Sequence, residues 1–295
     1  MITPPFLKQG DTLGIIAPAR KISLAELQPA LNTLHGWGLQ TKLSANLFGA
    51  EHQFSGSDAM RASDLQDMID DASVKAIVSA RGGYGTLRII DCIDFSSFKK
   101  SPKWIAGYSD ITVLHSHIQR FGIETLHATM PISFAKDDAS AESLRKALFG
   151  ELHAHEFPAH PLNRKGKAEG QLSGGNLSLL YALQASASET DTKGKILFIE
   201  DLDEYLYHID RMMMNLKRSG KLEHLAGLVV GGMTEMKDNA IPFGKNAEEI
   251  IYDAVKDYNY PVCFGFPAGH GVENHALYFG RKTTLEVAEK CVLQF

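Results

Sequence analysis

One serine lies where the sequence could activate it as a nucleophile. Ser109 follows a short predicted strand, residues 103–107, and precedes a helix marked by an apolar stripe at Ile111, Leu114 and Ile118. A serine on such a turn has the backbone N–H groups of the helix start beside it, and these can stabilise the oxyanion formed when a carbonyl is attacked. The pattern departs from the full G-x-S-x-G elbow because Ile111 replaces the second glycine.

The same serine also suits a structural role. Serine is a preferred helix cap, since its hydroxyl accepts a hydrogen bond from an N–H group of the first turn. From the local sequence alone, a cap is the favoured interpretation of Ser109 and a nucleophile is the alternative.

A glycine-rich turn, Arg81-Gly82-Gly83-Tyr84-Gly85, ends a second predicted strand, residues 74–79. Glycines there permit positive φ and let a ligand approach the backbone closely. The turn could cradle a phosphate, offer an N–H to an oxyanion, or hold no ligand. Neither G-x-x-x-x-G-K-[ST] nor G-x-G-x-x-G with an acid ~20 residues on is present, which disfavours the phosphate.

A carboxylate and an imidazole that could serve a nucleophile follow two predicted strands in the second half of the chain. Glu200 closes one strand, and His270 follows another among small residues. Such a pair could orient and supply the base that activates a serine. Four neighbouring residues compete for these two roles: Asp201, Asp203, Glu204 and His275.

Metal chemistry needs ligands at fixed spacing. The two histidine pairs have i, i+2 spacing without matching carboxylates, unlike the H-E-x-x-H arrangement; they are His115 with His117, and His153 with His155. We predict neither a metal site nor a cofactor.

Positioning these residues calls for a scaffold of alternating strands and helices. Ser23 and Glu26 fit a capping box that opens a helix through about residue 35, where Pro29 predicts a kink or a late start. The order predicts an α/β fold: an N-terminal domain, residues 1–155, with a mainly parallel sheet flanked by helices, and a smaller C-terminal α/β domain, residues 170–295. Clustered Pro, Asn and Gly predict a linker over residues 156–169.

Composition excludes several function classes. A formal net charge of −5 argues against non-specific nucleic-acid binding, and no apolar run approaches the ~20 residues of a membrane span. The three cysteines, Cys92, Cys263 and Cys291, are odd in number and widely separated, which suits a reducing compartment. Residues 1–14 lack the pattern of a secretory signal, so we expect a soluble, cytoplasmic protein without a nucleic-acid or membrane partner.

Six motifs, taken in order, resemble those of the LD-carboxypeptidase family, serine peptidases that include the microcin C self-immunity proteins. Each motif is short, but together their order and separations are specific. They are residues 7–18 (LKQGDTLGIIAP), 81–85 (RGGYG), 107–110 (GYSD), 174–177 (GGNL), 198–201 (FIED) and 269–270 (GH).

The resemblance implies both a site and a reaction. Ser109 matches the family's nucleophile, Glu200 its charge-relay carboxylate and His270 its base, and the backbone N–H groups of Gly83 and Asp110 match its oxyanion hole. The implied reaction is hydrolysis of the L,D-amide that releases the terminal D-alanine from a murein tetrapeptide. The resemblance also implies an active site between two domains, a homodimer and no cofactor.

Some positions leave alternatives open. Relatives often carry a larger side chain than Ala268, and Arg81 and Arg211 are both candidates for the substrate carboxylates. Within the family, the rival substrate is the amide of a processed microcin-type aminoacyl-nucleotide, whose hydrolysis uses a loop with an aromatic side chain that stacks on the base. The two tryptophans, Trp37 and Trp104, both lie in the first half, so we favour the murein peptide.

Two rival functions come from other classes. A non-catalytic muropeptide-binding module would not need all three triad candidates, which are present. A cysteine-dependent glutamine amidotransferase would need Cys where Ser109 stands.

Overall fold

The chain, described over all residues 1–295 of a computed structural model, divides into two compact units. The first unit consists of residues 1–152 and 275–278, and the second of residues 153–274 and 279–295. The chain therefore leaves the first unit after residue 152, returns to it for residues 275–278 and then leaves it again.

Both units mix strands with helices. The strands are β1 (Thr12–Ile16), β2 (Gln40–Leu43), β3 (Val74–Ser79), β4 (Trp104–Gly107), β5 (Thr125–His127), β6 (Ala154–Pro158), β7 (Gly166–Asn176), β8 (Ile196–Leu202), β9 (Gly227–Thr234), β10 (Val262–Cys263), β11 (Leu277–Phe279), β12 (Lys282–Val287) and β13 (Lys290–Gln294). The helices are α1 (Leu24–Gly36), α2 (Asp58–Asp70), α3 (Thr86–Ile89), α4 (Ser96–Lys100), α5 (Thr112–Gln119), α6 (Asp138–Phe149), α7 (Leu177–Ala182), α8 (Leu206–Arg218) and α9 (Ala247–Val255).

The sheet of the first unit has the order β11-β5-β4-β3-β1-β2, and β1 to β5 pair in parallel. Helices connect these strands, as parallel pairing requires. The carboxyl ends of parallel strands lie at one edge of a sheet, where α/β proteins bind ligands. The turns that follow β3 and β4 therefore share that edge.

The sheet of the second unit has the order β10-β9-β8-β7-β12-β13-β6. Its β7 to β10 half is parallel, and the other half, formed by β6, β12 and β13 together with β7, is antiparallel. Glu200 lies near the carboxyl end of β8, within the parallel half. The predicted α/β class, with a parallel sheet in the first half, is confirmed.

The helix of the capping box forms as predicted. The Ser23 side chain accepts from the Glu26 N–H, and the Glu26 side chain accepts from the Ser23 N–H. The expected late start at Pro29 is wrong: α1 begins at Leu24 and continues through the proline, since both halves of the capping box satisfy its first turn.

Two segments differ from the predicted domain map. Residues 156–169, expected to be a linker, contain the end of β6 and the start of β7, which pair with β13 and β12 respectively. Residues 275–278, expected in the second domain, contribute β11 to the first sheet. Both differences come from pairing with strands far away in the sequence.

The apolar stripe of α8 forms part of the second unit's core. Ile209 and Met213 are fully buried, and Leu216 is nearly so. No helix combines the length and apolar character that a membrane span requires.

Candidate active site

Ser109 lies on a strained turn between β4 and α5. Its φ is +62°, a left-handed conformation that costs a non-glycine residue about 1–3 kcal/mol and clusters at functional sites. The following residues form a 3-10 turn, Ser109–Ile111, before α5 begins at Thr112. Strand, strained serine and helix follow one another as in a nucleophile elbow.

The residues beside Ser109 explain why the motif departs from G-x-S-x-G. Gly107 has φ +154°, and a Cβ there would lie 2.9 Å from Ile111 Cγ1. Ile111 is fully buried, so it packs where the glycine leaves room. The close approach that a second glycine would allow is supplied by Gly107 instead.

The helix-cap interpretation of Ser109 is not supported. The residue that caps α5 is Ile111, and no side-chain hydrogen bond caps either α5 or the 3-10 turn before it. The strained backbone of Ser109 therefore has no capping bond to account for it.

The glycine turn, residues 81–85, packs directly against this serine. A Cβ on Gly82 would lie 3.0 Å from Ser109 Cβ and 3.2 Å from its Oγ. Gly83 has φ +121°, and its N–H donates to no group of the protein. The turn thus presents a backbone donor at the sheet edge that carries the serine, as an oxyanion hole requires.

The Asp110 side chain ties the elbow to the glycine turn. Its Oδ2 accepts a hydrogen bond from the Thr86 N–H at 2.7 Å, immediately after Gly85. The carboxyl is fully buried, and burial raises its pKa. The hydrogen bonds from Thr86 and the nearby charge of Arg61 lower the pKa in part. Asp110 therefore has two possible roles, through its backbone N–H and through its carboxylate.

A buried arginine holds the turn from its other side. Arg61 is 1% exposed, and its Nη1 donates to the carbonyl oxygens of Pro18 and Gly85. A Cβ on Gly85 would lie 2.6 Å from that nitrogen, so the position has no room for a side chain. Sequence reasoning missed this residue, although Arg61 shares the i, i+4, i+7 stripe of Leu65 and Met68 on an otherwise polar helix.

In the second unit, Glu200 and His270 are in direct contact. His270 Nδ1 lies 2.6 Å from Glu200 Oε2, and the Glu200 side chain is fully buried. An ionised carboxylate only accepts, so Nδ1 carries the hydrogen and Nε2 is the basic nitrogen. This is the orienter–base arrangement of a hydrolytic triad.

The surroundings of the His270 imidazole change its pKa. Burial lowers the pKa of His270, but the charge and hydrogen bond of Glu200 raise it, and the net result is a pKa above the ordinary histidine value. Gly269 makes the contact possible: with φ +105°, it lies where a Cβ would be 2.7 Å from both Cβ and Oε2 of Glu200.

Each rival acid is engaged elsewhere. Asp203 pairs with Lys237, and Glu204 Oε2 contacts His208 Nδ1 at 2.6 Å. The structure pairs Glu200 with His270, and His275 lies in the part of the chain that returns to the first unit. Among these acids, Glu200 is therefore the one that contacts His270.

The remaining rival, Asp201, has a structural role beside the pair. Its Oδ1 accepts from Asn176 Nδ2 at 2.9 Å, and its Oδ2 accepts from the Ser178 N–H at 2.9 Å. Burial and the neighbouring Glu200 charge raise the pKa of Asp201 to about 7. Asp201 thus fixes the start of α7 and, in its ionised form, adds negative charge near the imidazole.

Two further candidates, Arg211 and His115, have other contacts. Arg211 stacks on the Tyr207 ring, 5.1 Å from its centroid, on α8. His115 is fully buried with a pKa lowered by burial to about 4, and its Nε2 lies 2.9 Å from the Gly107 carbonyl oxygen. It supports the elbow strand as a neutral side chain.

The structure thus brings together Ser109, Gly83 and Asp110 in the first unit, and Glu200 and His270 in the second. The first group offers a hydroxyl beside backbone donors, and the second a carboxylate-oriented base. Those are the components of acyl transfer through a serine.

Comparisons with known proteins cover most of the chain. A family model for the LD-carboxypeptidase N-terminal domain matches residues 13–128, and one for the C-terminal domain matches residues 169–285. The chain is 40% identical to the probable murein peptide carboxypeptidase of Bacillus subtilis (strain 168), over 97% of this chain and 92% of that protein. It is 27% identical to the murein tetrapeptide carboxypeptidase of Pseudomonas aeruginosa, over 93% and 92%.

Solved structures show the same architecture. The muramoyltetrapeptide carboxypeptidase from Oxalobacter formigenes aligns with a TM-score of 0.87 at 25% identity, covering 96% of this chain and 97% of that one. MccF in complex with glutamyl sulfamoyl guanosine aligns with a TM-score of 0.88 at 21% identity, covering 98% and 97%, a likeness that shows the fold alone. From the two family models and the extended identity with its relatives, this chain belongs to the LD-carboxypeptidase family.

Proposed function

We propose that this protein is a serine carboxypeptidase that removes the terminal D-alanine from murein tetrapeptides by hydrolysing an L,D-amide. The observation that carries the chemistry is the 2.6 Å contact between buried Glu200 and His270. The substrate class is supported by the relatives described as murein peptide and murein tetrapeptide carboxypeptidases, at 40% and 27% identity. The strained Ser109 supplies the nucleophile of this proposal.

Acylation begins when His270 Nε2 accepts the hydroxyl proton of Ser109 and Oγ attacks the carbonyl carbon of the scissile amide. The carbonyl oxygen becomes an oxyanion, which accepts hydrogen bonds from the N–H groups of Gly83 and Asp110. His270 then protonates the amine of D-alanine, the C–N bond breaks, and an acyl-enzyme remains on Ser109.

Deacylation repeats the steps with water. His270 takes a proton from the attacking water, the second oxyanion forms in the same place, and the proton returns to Ser109 Oγ as the tripeptide leaves. Glu200 holds the Nδ1–H of His270 and stabilises the imidazolium that forms in both stages. No step in this sequence requires a metal or a cofactor.

The alternative within the family is hydrolysis of an aminoacyl-nucleotide amide. A nucleobase needs an accessible aromatic face to stack on. Trp104 is fully buried, and Trp37 packs against Phe134 with ring centroids 5.6 Å apart. Exposed aromatic side chains exist elsewhere, such as Tyr84 in the glycine turn, so the preference for the peptide rests on the relatives described as murein peptide and murein tetrapeptide carboxypeptidases.

One comparison separates the two substrates. Purified protein is incubated with a murein tetrapeptide and, in parallel, with an aspartyl-adenylate analogue that carries the scissile amide. The products of both reactions are identified by mass spectrometry. The proposal expects loss of a mass equal to one alanine from the peptide, no cleavage of the nucleotide, and no reaction with Ser109→Ala. Cleavage of the nucleotide alone would overturn the substrate assignment, and a fully active Ser109→Ala would overturn the nucleophile.

We also propose that the protein acts in the cytoplasm as a homodimer. Three separate cysteines without a partner pattern suit a reducing compartment. Light scattering after size exclusion should give twice the 32.4 kDa of one chain, and cell fractionation should recover the protein with cytoplasmic markers. A 32.4 kDa species, or recovery outside the cytoplasm, would contradict the corresponding part.

A further inference from the structure

A basic cavity lies in the first unit beside the glycine turn. It has a volume of about 670 Å³, and its walls include the cationic side chains Arg20, Lys21 and Arg81. Apolar side chains complete it, among them Leu24 and Phe48, which are 51% and 42% exposed. We call these residues the Arg20–Arg81 groove.

Three cationic side chains of the groove, those of Arg20, Lys21 and Arg81, face a single carboxylate, that of Glu26. Arg81 Nη1 donates to the Lys21 carbonyl oxygen at 3.1 Å, and its nearest carboxylate oxygen, Glu26 Oε1, is 3.9 Å away. Glu26 is engaged in the helix cap, accepting from Ser23 N at 2.9 Å and Ser23 Oγ at 2.7 Å. Arg20 forms no ion pair and no side-chain hydrogen bond.

The two guanidinium groups also act on each other. Burial lowers the pKa of Arg81, and the neighbouring Arg20 charge lowers it further. The Arg81 guanidinium nevertheless keeps its positive charge, because a guanidinium does not lose its proton in proteins. Cationic side chains held close together, with Glu26 as the one carboxylate among them, favour the binding of an anion.

Two consecutive glycines, Gly82 and Gly83, connect the groove to the nucleophile. A Cβ on Gly83 would lie 2.7 Å from Arg20 Cβ, and a Cβ on Gly82 would lie 3.0 Å from Ser109 Cβ. Arg20 and Ser109 therefore pack against adjacent residues of one turn. The groove therefore begins one residue along the turn from the glycine that packs against the nucleophile.

We propose that the Arg20–Arg81 groove binds a free carboxylate of the substrate peptide. This inference rests on the proposed function, since it takes the substrate to be a peptide cleaved at Ser109. A murein tetrapeptide with lysine at its third position offers two sources of that group: the carboxylate of the terminal D-alanine and the α-carboxylate of the D-glutamate in the stem. The guanidinium fork suits either, and the apolar wall suits the methyl and methylene groups around it.

The test is a kinetic cycle with three substrates: the free tetrapeptide, its C-terminal D-alaninamide, and a form in which the D-glutamate α-carboxylate is amidated. Arg20→Ala is expected to raise KM for the free peptide about 10- to 100-fold with kcat changed little, and Arg20→Lys to restore part of the loss. One of the two amidated substrates lacks the carboxylate that the groove binds. For that substrate, the KM of the wild type should already be raised by the same factor, and Arg20→Ala should not raise it further. The amidated substrate that gives this result identifies which carboxylate the groove binds.

The control is Arg218→Ala, which removes an exposed arginine at the end of α8 in the second unit and should leave KM unchanged for all three substrates. An equal rise in KM for all three substrates in Arg20→Ala, or no rise at all, would overturn the inference while leaving the proposed function intact. A wild type that cleaves none of the three substrates would overturn both.

Discussion

The carboxylate of Asp110, one residue after the candidate nucleophile, accepts a hydrogen bond at 2.7 Å from the Thr86 N–H, one residue after the glycine turn. The two halves of the proposed oxyanion hole are therefore joined by a fully buried side chain. An acceptor in this position fixes where the turn, and with it the Gly83 N–H, lies relative to the elbow.

Removing that acceptor should misplace the Gly83 donor. We expect Asp110→Ala to lower kcat about 10²-fold with KM within about threefold, because an oxyanion donor acts mainly in the transition state. The kcat of Asp110→Asn should lie between those of the wild type and Asp110→Ala, since its amide oxygen can still accept a hydrogen bond from the Thr86 N–H. Steady-state kinetics on the tetrapeptide check this, with exposed Asp67→Ala as the control. A kcat of Asp110→Ala within threefold of wild type would show that the link has no positioning role.

The strained turn of Ser109 should make the nucleophile a weak point for stability. At φ +62°, glycine avoids the strain that serine carries, so Ser109→Gly should raise the free energy of unfolding by about 1 kcal/mol while abolishing activity. Ser109→Ala should be equally inactive but no more stable, because alanine keeps the strain. Urea unfolding curves of the three proteins decide the matter, and equal midpoints for Ser109→Gly and Ser109→Ala would count against strain at this residue.

Two neighbouring glycines should respond differently to the same change. A methyl group on Gly269 would collide with Glu200 at 2.7 Å and would face φ +105° as well, so Gly269→Ala should separate Glu200 from His270 and lower kcat/KM about 10²-fold or more. Gly271 lies two residues further, where the nearest atom to such a methyl is Glu273 O at 3.7 Å. Gly271→Ala should thus stay near wild-type activity, and similar losses in both variants would refute a specific contact.

The Glu200 carboxylate should set the pH at which the base works. His270 must be neutral to accept a proton, so kcat/KM should rise with pH through its raised pKa. In Glu200→Gln the imidazolium loses its counter-charge and its pKa falls, so the acidic limb should move to lower pH while the plateau drops about 10³-fold or more. Glu204→Gln, which removes the partner of His208, is the matched control. A pH profile that does not move in Glu200→Gln would exclude Glu200 as the carboxylate partner of the base.

Local signals predicted much of this architecture. The capping box at Ser23 and Glu26 marked the first residue of α1 because both of its hydrogen bonds lie within three residues. The strand at residues 74–79 was predicted at its observed bounds, since β-branched residues there are buried on both faces of a parallel sheet. Such features depend on neighbours in the sequence.

Local sequence patterns could not predict the pairing of strands that lie far apart in the sequence. The stretch 156–169 has the composition of a linker, yet its strand residues pair with β12 and β13, more than one hundred residues later. The positive φ of Ser109 and the contact of Arg61 with Gly85 likewise depend on tertiary packing. The sequence supplied the candidate residues of the site, and tertiary contacts distinguished Glu200 from the acids around it.

The return of residues 275–278 to the first unit constrains how the protein is made. Tyr278 is fully buried among Phe6 and Trp104, and its hydroxyl donates to the Ala147 carbonyl oxygen at 2.8 Å. A ribosome that has released residues 1–152 has therefore not yet delivered the strand that covers this apolar edge. During translation of the intervening segment the first unit remains unfinished, with exposed apolar surface that favours aggregation or chaperone binding. A fragment ending at residue 152 would carry the same unfinished edge permanently.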